Sequence, residues 1–255
     1  MIGTTPSTAG STGIGEGFRV AVLLPCYNEA MTIGPVVRGF AKALPGATIY
    51  VFDNNSTDDT ARAAAHAGAR VFREGRQGKG NVVRRMFADI DADIYVIADG
   101  DGTYDPADAP SLINALITEH VDMVVGTRRG VGIDAGRSGH AAGNRIFNGL
   151  YRWLFGRGFS DIFSGYRAFT RRFVKSFPAI STGFEIETEM SVHASQLMIS
   201  VAEVDLNYGR RPAGSASKLR TFRDGLRILK MFAMLMKETR PFLFYGAFAG
   251  LFAVA

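Results

Sequence analysis

A chain of 255 residues, 47% hydrophobic and 21% charged, is long enough for one large domain or two small ones and has the apolar content for a core. Those figures exclude a disordered chain, a fibrous repeat and a polytopic membrane protein within this stretch. A single cysteine, Cys26, excludes an internal disulfide and a cysteine-built zinc site, and fits a reducing compartment. The net charge of +5 is unevenly placed, with nine Lys/Arg between Asn207 and Arg240 against two acids, Asp224 and Glu238. A nucleic-acid binder carries its basic surface through the fold. Here the basic block adjoins an apolar tail, which points to an anionic membrane surface and to no nucleic acid.

Residues 1–17 are rich in Gly, Ser and Thr without hydrophobic period and read as a flexible leader. Gly10, Gly13 and Gly15 imitate a dinucleotide-binding loop, but they precede the first strand instead of following one. From Phe18 strands and helices alternate. Strands are expected at Arg19–Leu24, Thr48–Phe52, Arg70–Phe72, Ile94–Ala98 and Met123–Val125. Helices fall between them at about Met31–Leu44, after Ser56 or Thr57, at Gly80–Asp89 and at Ala107–Glu119. This rhythm predicts an α/β domain, a mostly parallel sheet with helices on both faces and functional residues beyond the carboxyl ends of its strands. Further on, helices at Gly139–Phe155 and Glu185–Gln196 flank an irregular piece, Gly156–Thr170, and Ser200–Leu206 makes one more strand.

Arg220–Lys237 carries two stripes at helical spacing. Phe222, Leu226, Leu229, Phe232 and Met236 are apolar, while Arg223, Arg227, Lys230 and Lys237 are basic. Pro241–Ala255 has 15 residues and no charge. A spanning helix needs about 20, so the expectation is the beginning of a transmembrane helix after a juxtamembrane amphipathic one. The expected divisions are a leader over 1–17, a catalytic domain over 18–212, a basic juxtamembrane segment over 213–240 and a membrane segment over 241–255.

Four polar clusters lie where strands end: Pro25-Cys26-Tyr27-Asn28-Glu29, Asp53-Asn54-Asn55-Ser56-Thr57-Asp58, Gly78-Lys79-Gly80-Asn81 and Asp99-Gly100-Asp101-Gly102-Thr103-Tyr104-Asp105-Pro106. Any one of them is an ordinary turn; four at one sheet edge are a site. Asp99 and Asp101, two residues apart, can face one hard cation, and Mg²⁺ or Mn²⁺ takes a few carboxylates plus phosphate oxygens and water. An EF-hand is excluded because the twelfth-position glutamate is missing. The four histidines, His66, His120, His140 and His193, have no metal-ligand spacing. Glu185, Glu187 and Glu189 fit either a solvated edge or acids near the site. Tyr151, Trp153 and Phe155 read as core or membrane-facing.

LPCYNEA, DNNSTDDT, GKGNVVRRMF, DGDGTYDP, GTRRG and DIFSGYRAF, in this order and spacing, resemble the family 2 glycosyltransferases of GT-A fold. Their polyprenyl-phosphate branch is the most similar, with dolichol-phosphate mannose synthase and the bactoprenol glucosyltransferases among its members. The resemblance runs from about Phe18 to Lys237. It implies that Pro25, Tyr27 and Glu29 line the nucleotide base and ribose, with Asp53 and Asn54 as the acidic pair after the second strand. The usual pattern has Asp in both places, so Asn54 is a departure, although its amide is able to hydrogen-bond a base. Asp99 and Asp101 match the metal pair, with Gly100 between them giving the diphosphate backbone access. Lys79 joins the donor side, as do Arg128, Arg211 and Lys218, which match residues that hold donor phosphates.

The reaction so implied is an inverting transfer from a UDP- or GDP-sugar to a polyprenyl phosphate at the cytoplasmic face of the inner membrane, with membrane lipids as partners and self-association through the membrane region. A sugar hydroxyl needs a general base, whereas a phosphate monoester has a second pKa near 6 and is mostly dianionic at neutral pH. Asp161 of DIFSGYR is therefore expected to position Arg167 or the metal. Arg145 and Arg167 are the expected guanidinium clamps for the lipid phosphate. Three alternatives stand beside this reading. A saccharide acceptor would make Asp161 the base, but the Q-x-x-R-W signature of processive synthases is absent. A non-catalytic nucleotide-sugar-binding module is opposed by the intact Asp99 and Asp101. A lipid-surface protein without activity would need only the basic helix.

Overall fold

A computed structural model describes residues 17–129, 148–149, 151–153, 159–209, 229–231, 233–234, 236–237 and 240–254. The apolar run VAVLLPC forms β1 (Val20–Cys26). Both of its faces are covered: Ala21 and Leu23 enter one hydrophobic cluster, Val22, Leu24 and Cys26 the other. Continuous burial is what a strand inside a parallel sheet requires.

After β1 come α1 (Ala30–Ala43), β2 (Thr48–Asp53), α2 (Thr60–His66), β3 (Arg70–Arg73), α3 (Lys79–Asp89), β4 (Ile94–Ile97), α4 (Ala109–Thr118) and β5 (Met123–Arg129). Next are β6 (Arg167–Thr170), α5 (Arg171–Ser176), α6 (Ile186–Gln196) and β7 (Val201–Asn207), and then α7 (Pro241–Val254). Among the described residues the strands form one seven-stranded sheet in the order β3-β2-β1-β4-β6-β5-β7. Helices α1, α2 and α4 bury Ile33, Val37, Phe40, Ala64, Leu112 and Ile113 on one face. On the other, α3, α5 and α6 bury Val83, Met86, Phe87, Phe173 and Met190. The α/β expectation holds, with most strand bounds within a few residues.

The stretch Gly156–Thr170, expected to be irregular, contains β6, which runs antiparallel between β4 and β5. Its four residues, RAFT, carry a charge where a buried strand is normally apolar, so periodicity could not mark it. Its direction matters. Arg167 pairs with Ile97, the last residue of β4, and with Val125 of β5, so the residues just before β6 fall on the edge where β4 ends.

Chain order reverses between β1 and β4. The β1–β4 pairing ends at Leu23↔Ile97, while β1–β2 continues to Cys26↔Asp53. The sheet opens there, and ligands of open α/β sheets bind at such a point. Pro25, lacking an N–H, sits where only one neighbouring strand remains.

In the basic segment, Met231 is buried in the core and Met234 and Met236 pack against it. Met236 therefore covers protein, not acyl chains as the apolar stripe implied; Leu229 of that stripe is exposed. Phe222, Leu226 and Phe232 lie outside the described residues, as does most of the expected 139–155 helix; residues 148–149 and 151–153 of it are helical. Tyr151 there is core, its hydroxyl donating to Ser191 O at 2.9 Å, whereas Trp153 is exposed. Apolar α7 exposes Phe242 and Leu243. Among the described residues no helix is long and apolar enough to cross a membrane, so the transmembrane expectation for 241–255 gains no support.

Candidate active site

The first two clusters are sewn together by their own turn-forming side chains. Asn28 adopts φ 52°, a left-handed conformation that Asn tolerates. Its Oδ1 accepts from Thr57 N at 2.8 Å, and its own N–H donates to Ser56 Oγ at 2.9 Å. Glu29 N donates to Thr60 Oγ1 at 2.8 Å and Ala30 N to Asp58 Oδ2 at 3.1 Å. Pro25 and Glu29 are buried, and Tyr27 is half-buried at the mouth of the sheet opening. Asp53 is buried and accepts from Ser56 N at 3.3 Å.

Asn54 does something else. Its carboxamide is buried and faces the β3–α3 loop: Nδ2 donates to Glu74 O at 3.0 Å and Arg76 O at 2.8 Å, and Oδ1 accepts from Gly78 N at 2.7 Å. An amide so engaged has no capacity left to read a nucleotide base. The departure from Asp at this position is thus a matter of loop architecture.

Gly78, at φ 129°, precedes α3 and leaves Lys79 as its first residue. The Lys79 side chain is 9% exposed, its ammonium 2.5 Å from Glu187 Oε1 and also bonded to Asp99 Oδ1. Burial alone would lower its pKa, but the two carboxylates outweigh burial and hold it above the ordinary lysine range. Glu187, which the sequence leaves open between two readings, is buried beside Lys79. Glu189 and Glu185 are buried as well, accepting from the backbone N–H groups of Ile180, Ser181 and Gly183 at 2.7, 2.8 and 3.0 Å. The solvated-edge reading of this trio is excluded.

Asp99 is partly exposed, and its Oδ2 faces Gly165, where an added Cβ would lie 2.9 Å from that oxygen. Asp101 is buried, with Oδ1 accepting from Thr103 N at 3.0 Å and Thr103 Oγ1 at 2.6 Å. Gly100 between them has a packing reason of its own, since a Cβ there would come within 2.5 Å of Cys26 Sγ. Its carbonyl accepts from Thr32 Oγ1 at 2.7 Å. Gly165 N in turn donates to Tyr104 Oη at 2.9 Å, a contact that sequence gave no sign of.

Across the opening, Arg128 and Asp161 form a two-pronged ion pair, Nε–Oδ2 2.7 Å and Nη2–Oδ1 2.8 Å. Asp161 also accepts from Phe163 N at 3.2 Å. Burial works to raise its pKa, but Arg128 and these N–H donors hold it below the usual carboxylate range. The guanidinium stacks 5.5 Å from the Tyr208 ring centroid. Asp161 therefore positions Arg128, not Arg167.

Arg167 is not the phosphate clamp expected of it. It is wholly buried and donates to Ser164 O at 2.9 Å, Ile162 O at 2.9 Å and Ser191 Oγ at 3.0 Å. It cannot clamp a lipid phosphate; it fastens the turn that carries Asp161. Arg145, Arg211 and Lys218 lie outside the described residues.

The family model described as "Glycosyl transferase family 2" matches residues 21–177. Glycosyltransferase AglJ of Haloferax volcanii is 38% identical over 235 residues, 89% of this chain and 75% of the relative. A dolichyl-phosphate hexose transferase of the same organism is 30% identical, covering 87% of this chain and 95% of the relative. In fold, the chain is similar to glucosyl-3-phosphoglycerate synthase from Mycobacterium tuberculosis, solved with Mn²⁺, uridine diphosphate and phosphoglyceric acid. That likeness has a TM-score of 0.73 at 24% identity and covers 89% of this chain and 80% of that one.

Proposed function

The chain belongs to glycosyl transferase family 2 and is a glycosyltransferase; on that premise we propose that it moves a sugar from a nucleotide-diphosphate donor to a polyprenyl phosphate. The observation that carries the acceptor is the Arg128–Asp161 pair. Both oxygens of Asp161 are engaged, and its pKa is held low. Such a carboxylate is a poor base for a sugar hydroxyl. A phosphate monoester, already dianionic near neutral pH, needs no base. The likeness to a dolichyl-phosphate hexose transferase supports the same acceptor.

The donor sits at the β1–β4 opening, its base and ribose against Tyr27, Glu29 and Asp53. Asp99 and Asp101 fit a hard divalent cation, because both offer carboxylate oxygens and Asp99 Oδ2 faces the space that Gly165 leaves clear. Among the described residues no group of three or more His, Cys, Asp or Glu could hold a metal ion, so the remaining ligands would be phosphate and water oxygens. Mg²⁺ or Mn²⁺ so held would neutralise charge on the departing diphosphate. Lys79 holds Asp99 in place, and Arg128, oriented by Asp161, presents its guanidinium to phosphate oxygens at the same edge. The lipid phosphate attacks the anomeric carbon in line, with inversion. Arg145 remains the candidate for its second clamp. Exposed Lys230, Lys237 and Arg240 beside apolar α7 support a site at an anionic membrane surface, the cytoplasmic face of the inner membrane.

The test is turnover with Mn²⁺, UDP- and GDP-sugars and a short polyprenyl phosphate, against saccharide acceptors. Transfer to the phosphate alone is expected, silenced in Asp101→Asn. Its rate should follow the phosphate ionisation near pH 6, a limb that persists in Asp161→Asn. Transfer to saccharides, with that limb lost in the variant, would instead make Asp161 a base.

A further inference from the structure

The β3–α3 loop, residues 74–78, delivers Lys79 to the site; within it Glu74 Oε1 accepts from Arg76 N at 2.6 Å, and the remaining restraint comes from outside the loop. A lysine at the first position of a helix is disfavoured by the helix dipole, so this cation needs restraint from elsewhere. The loop is held through its backbone by side chains from the end of β2. Asn54 takes Glu74 O, Arg76 O and Gly78 N, Gln77 Nε2 lies 3.4 Å from Asn54 Oδ1, and Asn55 Nδ2 donates to Gly75 O at 2.7 Å. The amide orientation is unambiguous: reversing it would set an NH₂ against the Gly78 N–H and an oxygen against two carbonyls. Opposite the clamp, the loop end abuts the backbone of α6's lead-in. A Cβ on Gly78 or Gly80 would come within 2.1 Å of Thr182 O or 2.2 Å of Ser181 O.

We infer that Asn54 is a positioning residue, whose carboxamide clamps the 74–78 loop and so seats the Lys79 ammonium between Asp99 and Glu187. The inference rests on the sheet-edge cluster being the active site, but it concerns how that cluster is built. An aspartate here, the residue usual in the family pattern, has the same size and no N–H to give. It would leave Glu74 O and Arg76 O facing a carboxylate and release the loop.

Acetylation footprinting of lysines on the whole chain, read peptide by peptide, tests this without donor or acceptor. In Asn54→Asp, Lys79 labelling should rise about tenfold or more as the loop opens locally. Lys42 and Lys175, both exposed, should not change; the Nζ of Lys175 donates to Phe87 O and Ile90 O across α3, so a rise there marks loosening beyond the 74–78 loop. Lys79 labelling equal to that of the native chain would overturn the inference, and so would a parallel rise at Lys175. Should Asn54→Asp fail to fold, Asn54→Ala removes both N–H donations and the Gly78 contact as well, without adding charge, and carries the same expectation. A Gly78 amide that exchanges with deuterium at the free-peptide rate in the native chain would also refute the clamp. Because labelling needs no turnover, it can fail while the acceptor assay succeeds, and the reverse.

Discussion

Lys79→Met removes a cation from between two carboxylates while nearly keeping the side-chain volume. Glu187, 7% exposed, is then a buried anion with its partner gone, whereas Asp99, 31% exposed, is left with water to turn to. Breaking a buried pair by deleting one partner costs about 3–5 kcal/mol. Water at Asp99 screens its share, which places the expected loss near the lower end, about 3 kcal/mol. At about 2–4 °C per kcal/mol for a chain of this size, the melting temperature should fall by roughly 6–12 °C. In Lys79→Met/Glu187→Gln the stranded charge is gone, so more than half of the loss should return. A buried carboxyl without a cation has a raised pKa, and such a group stabilises below its unfolded value and loses that contribution as pH rises through the folded one. The single variant should therefore be less impaired at about pH 5 than at about pH 8, while the double variant shows no such trend. Thermal unfolding followed by circular dichroism at both pH values measures all of this. A single variant as stable as the native chain, or a double variant no better than the single, would refute the buried Lys79–Glu187 pair.

Two further expectations concern residues whose role the fold redefined. Arg167→Met should cost about 2–4 kcal/mol in urea unfolding, because it strands the Ser164 and Ile162 carbonyls, each at about 1–3 kcal/mol; stability equal to the native chain would refute its structural role. Gly100→Ala sets a methyl 2.5 Å from Cys26 Sγ and should cost about 1–3 kcal/mol by overpacking. Cys26→Ala in the same chain should recover most of that loss, and failure to recover would mean the glycine is needed for another reason.

The sequence by itself determined the parallel half of the sheet, since apolar runs alternating with amphipathic helices leave few other arrangements. It also placed Asp99, Asp101, Asp53 and the Pro25–Glu29 cluster together, because residues after successive parallel strands converge on one edge whatever the details. Sequence could not say which polar side chain faces which. Arg167 and Arg128 are both arginines within family motifs, and only tertiary packing decides that one is sealed under α6 while the other meets Asp161 at the edge. Asn54 reads as a base contact until the β3–α3 loop is seen folded over it. Glu187 lies 108 positions from Lys79 in the chain and shares no motif with it. Strand β6 is a second such case. A short antiparallel strand with a buried charge has no periodicity to announce it, yet its direction alone brings Asp161 to the carboxyl ends of the parallel strands. Local pattern marks the apolar strands and the helices; the pairing of buried charges depends on burial, which exists only once the sheet is covered on both faces.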